Sequence, residues 1–196
     1  APFGLLSRKG KPADATAGGS IFTQIHIGPM GVFDGKPNYE WGYDDVAEAA
    51  GGKVEFKTKG GWSGFGDKYW LSALIPDQAS NVEADFTAKD GYYWNRIRNA
   101  QLSAVAPGAS VTHKANLFAG AKEFEILRGY SKEKSIPYLD YSIDWGWFWF
   151  IAIPFLWILL WLFKLVGNFG VAIIGLTLIV RTFMFPVAQK QFASMA

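Results

Sequence analysis

In the first 144 residues, short stretches alternate between hydrophobic and polar positions. Residues 53–57 and 81–87 place every second apolar side chain on one face, and residues 21–27 do the same with isoleucines. A period of two is typical of a strand with one buried face. Residues 69–75 are instead continuously apolar, which predicts a strand buried on both faces. Because glycines and prolines separate these stretches, we predict a mainly β, sandwich-like domain over residues 1–144.

Residues typical of turns and helix caps predict the secondary structure of the other segments of this domain. They are an irregular stretch over residues 1–20, a strand break at Gly28 and Pro29, an aspartate-capped helical turn over 44–50, a hairpin over 101–117 that turns at Pro107 and Gly108, and a helix over 121–128 that ends at Gly129. His26 is expected on an exposed strand face, and His113 on an apolar face as a core residue. Neither histidine has a neighbour at metal-ligand spacing, so no metal site is predicted.

A different pattern begins at residue 167. Residues 167–188 form an almost unbroken apolar series that contains one charge, Arg181. As a helix these 22 residues are about 33 Å long, which is enough to cross the hydrocarbon core of a bilayer. We predict a transmembrane helix in the segment 167–196, with Arg181 about two thirds of the way along the apolar series.

Arg181 is expensive at that depth, because a guanidinium facing lipid costs about 2.5–3.5 kcal/mol and does not lose its proton. Helical geometry places Thr177 one turn before it on the same face, in a stripe with Gly170, Ile174 and Phe185. The pattern predicts a polar groove, wetted from the side nearer the C-terminus, with Arg181 and Thr177 as its residues. The alternative is that Arg181 only extends to the membrane interface past Phe185.

Residues 145–166 are also apolar, with Lys164 as their one charge. Their length suits a second span, but the five tryptophans are spread along the segment, whereas indole rings prefer the headgroup layer. Pro154 is expected to interrupt the helix. A helix lying in the membrane interface is therefore an equal alternative, and the pattern alone does not decide between the two.

Charge divides the chain at the same place. Residues 1–144 carry 16 basic and 17 acidic side chains, whereas residues 145–196 carry three basic and no acidic ones. A nearly neutral domain followed by a basic apolar tail is typical of a membrane-anchored protein and argues against a nucleic-acid partner. There is no cysteine, which excludes disulfides, and no catalytic triad, carboxylate dyad or cofactor motif can be placed. We therefore expect no enzymatic activity and no cofactor.

Aromatic residues in the β domain suggest an alternative function. They are Trp41, Trp62, Tyr69, Trp70, Tyr92, Tyr93 and Trp94. Such side chains can line a saccharide site, although packing in the core and at sheet edges is their more common use. The alternative is a membrane-tethered periplasmic saccharide-binding module in which the tail serves only as an anchor.

Several ordered strings of residues resemble the YidC/Oxa family of bacterial membrane protein insertases. They lie at residues 144–148, 167–170, 176–181, 185–186 and 192–196 in the tail, and at residues 61–62, 67–70, 73–77 and 117–120 in the β domain. The resemblance implies an incomplete β-supersandwich periplasmic domain over 1–144, an amphipathic interfacial helix over 145–166, and the first core transmembrane helix over 167–196, ending in the cytoplasm. It also implies that the chain is a fragment without the family's first transmembrane segment, cytoplasmic hairpin and remaining core helices.

The same resemblance implies a function and a location. Arg181 matches the family's groove arginine and Thr177 a groove position, so the expected activity is the insertion and folding of nascent membrane proteins. The expected location is the bacterial inner membrane, in a multi-pass full-length protein. The expected partners are nascent membrane proteins, the lipid bilayer, the Sec translocon and the ribosome.

Overall fold

The structure is a computed structural model that describes residues 3–16, 25–101, 104–146 and 148–194. The chain divides into two compact units, Ala1–Asp144 and Trp145–Ala196. The first is built mainly of β-strands, and the second of two apolar helices. The predicted fold class, a mainly β domain followed by helical segments, is confirmed.

The described part of the first unit contains nine strands in two antiparallel sheets. The strands are β1 (Gly4–Lys9), β2 (Gly28–Phe33), β3 (Lys36–Asn38), β4 (Lys53–Lys59), β5 (Trp62–Gly66), β6 (Trp70–Pro76), β7 (Asn81–Lys89), β8 (Tyr92–Asn99) and β9 (Ala115–Ala121). The four-stranded sheet has the order β1-β8-β7-β4, and the five-stranded sheet has the order β3-β2-β5-β6-β9. Two helices, α1 (Tyr43–Glu48) and α2 (Phe124–Glu133), complete the unit together with short 3-10 turns at Ala13–Thr16, Ala50–Gly52 and Leu139–Ser142.

The core between the two sheets follows from the alternation in the sequence. Val82, Ala84 and Phe86 of β7 are buried there, and Ile97 of β8 lies beside them. In register, Ala84 of β7 pairs with Ile97 of β8, so apolar side chains from neighbouring strands lie on the same face. These positions confirm the alternation that predicted β7.

A second apolar cluster covers the other face of the five-stranded sheet. Leu71, Ala73 and Ile75 of β6 pack there against Leu127 of α2, whereas Leu74 of the same strand faces the first core. Strand β6 is therefore buried on both faces, which explains its continuous apolar sequence. The unit has three layers, which are the four-stranded sheet, the five-stranded sheet, and a cover formed by α2 and the turn Leu139–Ser142.

Strand predictions near the N-terminus were partly wrong. Residues 4–9 form β1 rather than an irregular stretch, because the strand pairs with β8 along its whole length. Gly28 and Pro29 do not break a strand but begin β2. Strand β2 pairs with β5 from Gly28, but it pairs with β3 only from Gly31 onwards. Pro29 is tolerated because it lies where β2 has one partner strand. Of the strand predicted over residues 21–27, residues 21–24 lie outside the described residues and 25–27 are not in a strand.

Three further predictions needed correction. The hairpin over 101–117 is absent from its described residues, since only the part from Ala115 onwards is a strand and it pairs with β6. The turn at Pro107 and Gly108 is present. Helix α2 continues through Gly129, where the sequence predicted its end. A glycine ends a helix when it adopts the left-handed conformation with positive φ, and the φ of Gly129 is not positive. The predicted aspartate cap of the helical turn over 44–50 is also wrong, because α1 begins at Tyr43 with Gly42 at the N-cap position, and the Gly42 N–H donates to the carboxylate of Asp45 at 2.7 Å.

The second unit is a pair of helices, α3 (Trp149–Val166) and α4 (Phe169–Ser194). Both contain an 18-residue stretch that is long and apolar enough to cross a membrane, judged by length and composition. Pro154 lies within α3 without ending it, contrary to the interruption expected from the sequence. Gly167 has the left-handed conformation that ends α3, with φ of 67°, and the Asn168 side chain caps α4 by accepting the Val171 N–H at 3.2 Å.

Candidate functional site

Helix α4 has two distinct faces. The face toward α3 contains the positions that are at least half-buried: Ala172, Gly175, Leu176, Ile179 and Val180. A Cβ placed on Gly175 would lie 3.6 Å from Leu162 of α3, so the two helices approach closely there. At 100° per residue, Gly170, Ile174, Thr177, Arg181 and Phe185 lie on the opposite side. The stripe that holds Arg181 therefore points away from α3.

The structure places Thr177 and Arg181 one turn apart on this exposed face. The Thr177 hydroxyl donates to the Ile173 carbonyl at 2.9 Å, and the Thr182 hydroxyl donates to the Leu178 carbonyl at 2.8 Å. Both threonines thus satisfy their hydroxyls within the helix. Arg181 is different, because residues 145–196 contain no acidic side chain that could pair with it. The guanidinium needs acceptors from outside this helical unit.

The two histidines have structural roles in the β unit. His26 is half-buried rather than exposed on a strand, and its Nε2 lies 2.9 Å from the Pro29 carbonyl oxygen. Burial lowers the pKa of His26, so the neutral ring is favoured. The core position expected for His113 is wrong: the ring is exposed and stacks on Phe3 with centroids 5.3 Å apart. The hairpin that would have buried it does not form.

The last residues of the β unit are fixed to other parts of the unit by three long-range hydrogen bonds that the sequence did not reveal. Trp62 Nε1 donates to the Pro137 carbonyl at 3.0 Å, and the Tyr39 hydroxyl donates to the Tyr141 carbonyl. The His26 N–H donates to the Asp144 carboxylate at 3.0 Å. The segment that precedes the helical unit is therefore held to the β unit as far as Asp144.

Lys122 lies near this segment with its ammonium buried. The described residues give its Nζ no hydrogen-bond partner, and burial lowers its pKa to about 8 despite the opposing charges of Asp67 and Asp144. No group of three or more histidine or acidic side chains that could hold a metal ion lies among the described residues. The lysine is thus a buried charge without a direct partner, which costs stability.

We expect the substitution Lys122→Met to stabilise the β unit at pH 7 by about 1–2 kcal/mol, after allowance for partial solvent screening. The folded-state pKa of about 8 lies below the ordinary value of 10.5, so the folded protein releases this proton first. The unfolding free energy of the native protein should therefore rise between pH 8 and about 10.5, and this rise should be missing in the variant. Denaturant unfolding across that pH range measures both, and equal slopes in the two proteins would contradict the assignment.

The aromatic residues proposed for a saccharide site do not come together as one group. Trp62 is buried in the second core cluster, and Tyr69 and Trp70 are more than half exposed. Tyr92 and Trp94 alone share a surface depression of about 560 Å³, together with Leu5, Thr87, Lys89, Asp90 and Arg96. Their ring centroids are 6.0 Å apart. The depression lies on the outer face of the four-stranded sheet.

A two-sheet β unit followed by two helices that are long and apolar enough to cross a membrane is typical of membrane proteins that carry a domain outside the bilayer. The family model of the YidC periplasmic domain matches residues 1–158. The chain belongs to this family, and the resemblance noted in the sequence is confirmed.

Curated relatives extend the similarity into the helices. The chain is 40% identical over 173 residues to a protein of Zymomonas mobilis named membrane protein insertase YidC, covering 88% of this chain and 30% of that protein. Proteins of the same name from Granulibacter bethesdensis and Beijerinckia indica are 43% and 39% identical, covering 89% and 100% of this chain and 32% of each relative. The chain thus spans about a third of the length of these relatives.

Proposed function

We propose that the chain forms part of a membrane protein insertase in which Arg181 is the central charge of a hydrophilic groove within the bilayer. The observation that carries the proposal is a permanent cation inside an apolar helix, on the face that α3 leaves uncovered. The names of the relatives support the activity, and they describe proteins about three times as long as this chain.

The physical argument starts from the cost of the charge. A guanidinium in hydrocarbon cannot neutralise itself, so water or a polar partner has to reach it. The Thr177 side chain extends the polar surface around Arg181 by one helical turn, while the surrounding side chains are apolar. Because α3 packs on the opposite side of α4, we infer that other parts of the full-length protein form the remaining walls of the groove.

The groove would act by electrostatics rather than by covalent chemistry. Arg181 attracts acidic or polar parts of a nascent chain into the bilayer and stabilises them there through charge-assisted hydrogen bonds. This shortens the distance that such parts cross without a polar partner, which lowers the barrier to insertion. No nucleotide or metal takes part in the proposed step.

The proposal includes a topology and a set of partners. Residues 1–144 lie in the periplasm, α3 lies in the outer interface as an amphipathic anchor, and α4 runs toward the cytoplasm. Nascent membrane proteins and the lipid bilayer are the direct partners. The Sec translocon and the ribosome would deliver the clients.

Single-cysteine labelling tests whether water reaches the groove. The sequence contains no cysteine, so Thr177→Cys can be compared directly with Ile179→Cys, which lies on the face packed against α3. In full-length, otherwise cysteine-free protein, we expect a membrane-impermeant maleimide added from the cytoplasmic side to label position 177 at least about tenfold faster than position 179, because only the hydrated thiol ionises readily. Absent labelling at 177, or equal labelling at both positions, would rule out the groove.

A second candidate function is a membrane-tethered saccharide-binding module. The depression beside Tyr92 and Trp94 favours it, because paired aromatic rings with polar neighbours suit the flat apolar face of a sugar ring. This candidate predicts saccharide binding at that depression, with insertion unaffected by loss of the Arg181 charge. The two candidates therefore differ in which unit of the chain carries the activity.

A further inference from the structure

The β unit ends in a strap, residues 137–144, that is folded back against the rest of the unit. The three long-range hydrogen bonds described above hold the strap in place. Their donors, all outside the strap, are Trp62, Tyr39 and His26. Within the strap, the side chains of Leu139 and Ser142 have no exposed surface. The strap is thus a closed element whose release would require these bonds to break.

His26 takes part in two of the three anchors of the strap. Its backbone N–H donates to the Asp144 carboxylate at 3.0 Å. Its ring packs edge-on against Tyr39 with centroids 5.8 Å apart, and the Tyr39 hydroxyl donates to the Tyr141 carbonyl. Burial raises the pKa of Tyr39, so this hydroxyl keeps its proton. A change at His26 therefore acts on both anchors that lie nearest to α3 along the chain.

The site of the His26 ring favours the neutral form. The Pro29 carbonyl, 2.9 Å from Nε2, can only accept, so Nε2 carries the proton and Nδ1 does not. Protonation would add an N–H at Nδ1 and a positive charge to a half-buried ring. The Asp144 and Asp45 carboxylates favour that charge, and the Lys122 ammonium opposes it. Burial is the largest effect, and it lowers the pKa of His26 below the ordinary value of 6.5.

We propose that His26 is a pH-sensitive lock on the strap, closed while its ring is neutral and released when the ring is protonated. Release hydrates the ring, so the released state binds the proton more tightly than the closed one. The closed strap therefore has its full stability above about pH 6.5 and loses stability as the pH falls below it. Release would lengthen the connection between the β unit and α3 by up to about 26 Å, the extended length of residues 137–144. The inference does not depend on the proposed groove.

Thiol labelling of a cysteine in the strap tests the proposal. Ser142→Cys places a thiol of similar size at a fully buried position, where the native hydroxyl has no hydrogen-bond partner among the described residues. Ser110→Cys, at an exposed position, is the reference for thiol ionisation. The full-length, otherwise cysteine-free protein would be held in lipid nanodiscs. We expect the ratio of maleimide labelling rates, position 142 over position 110, to rise at least about threefold from about pH 7.5 to about pH 5.5, since one proton shifts an equilibrium by at most about tenfold per pH unit.

Two histidine variants and one lysine variant identify the group that titrates. His26→Gln keeps an N–H donor for the Pro29 carbonyl but does not titrate, so the rise should disappear. His113→Gln removes the exposed histidine of the β unit and should leave the rise unchanged. Lys122→Met removes the cation that opposes protonation of the ring, so it should reduce the rise without altering the ring itself.

A cysteine in the core distinguishes release of the strap from unfolding of the whole unit. Ala73 of β6 has no exposed surface, so Ala73→Cys should be labelled slowly at both pH values. A ratio that does not change with pH, a rise that persists in His26→Gln, or an equal acceleration at position 73 would overturn the proposal. If His26→Gln is labelled rapidly at position 142 at every pH, its strap is already open. Lys122→Met then decides, because an undiminished rise in that variant would contradict the assignment to His26.

Discussion

Replacing Arg181 by alanine in the full-length protein should slow the insertion of a single-span client with an acidic translocated tail by about 10- to 100-fold. Charge-assisted hydrogen bonds contribute about 1.5–3 kcal/mol, and the loss of that amount from the barrier gives this range of rates. The residues around Arg181 cannot compensate, because residues 145–196 contain two other cations, Lys164 and Lys190, and both lie more than two turns away along the chain. Protease protection of the translocated tail measures the rate.

Two control variants separate charge from structure in this experiment. Arg181→Lys keeps the charge and should cause a smaller loss, because lysine cannot form the planar two-bond contact with a carboxylate. Lys190→Ala removes a charge beyond the apolar series and should have little effect. If Arg181→Ala inserts the client at the native rate, the role assigned to Arg181 is wrong.

Replacing Arg96 by alanine should destabilise the β unit by about 2–4 kcal/mol. The Asp85 carboxylate has no exposed surface, although it lies on the outer face of the four-stranded sheet, and Arg96 covers it with hydrogen bonds of 2.7 and 2.9 Å. Thr87 donates a further bond at 3.0 Å. Removing Arg96 leaves a buried carboxylate without its main partner, which typically costs 3–5 kcal/mol. We expect slightly less because the Arg96 side chain is 34% exposed.

The matched control for Arg96 is its neighbour two residues along β8. Arg98 pairs with Glu83 at 3.0 Å and with Glu55, whose side chains are 25% and 53% exposed. Its Nη1 also lies 3.7 Å from Asp85 Oδ1, which is too long for a hydrogen bond, so Arg96 still hydrogen-bonds Asp85 when Arg98 is removed. Exposed ion pairs contribute little, so Arg98→Ala should cost about 1 kcal/mol or less. Amide hydrogen exchange of β7 and β8 in the intact protein measures both losses. Equal losses for the two variants would mean that the burial of Asp85 does not determine the stability of this ladder.

Sequence patterns predicted those strands in which each face has the same degree of burial along most of the strand. Strand β7 alternates because one face is buried, and β6 is continuously apolar because both faces are buried. Strand β1 was missed because its sequence, GLLSRK, has no clear period, and pairing with β8 determines its conformation instead. Tertiary pairing overrides weak local preference at such positions.

Candidate functional residues were likewise predictable only where a local sequence pattern marks them. Arg181 was identifiable because a single charge in an apolar series is a local signal, and helical spacing then placed Thr177 beside it. The bonds from Trp62 to Pro137 and from His26 to Asp144 join residues 75 and 118 positions apart, and no periodicity reports such contacts.

The joint between the two membrane helices links their rotations. Gly167 and Asn168 are the only residues between α3 and α4, and the pair both ends one helix and caps the other. So short a connection allows little independent twisting, because either helix would have to break its terminal hydrogen bonds to turn alone. A change in lipid packing that rolls α3 about its long axis would therefore turn α4 with it and re-aim the Arg181 side chain, and under the proposed function client capture would then depend on bilayer composition.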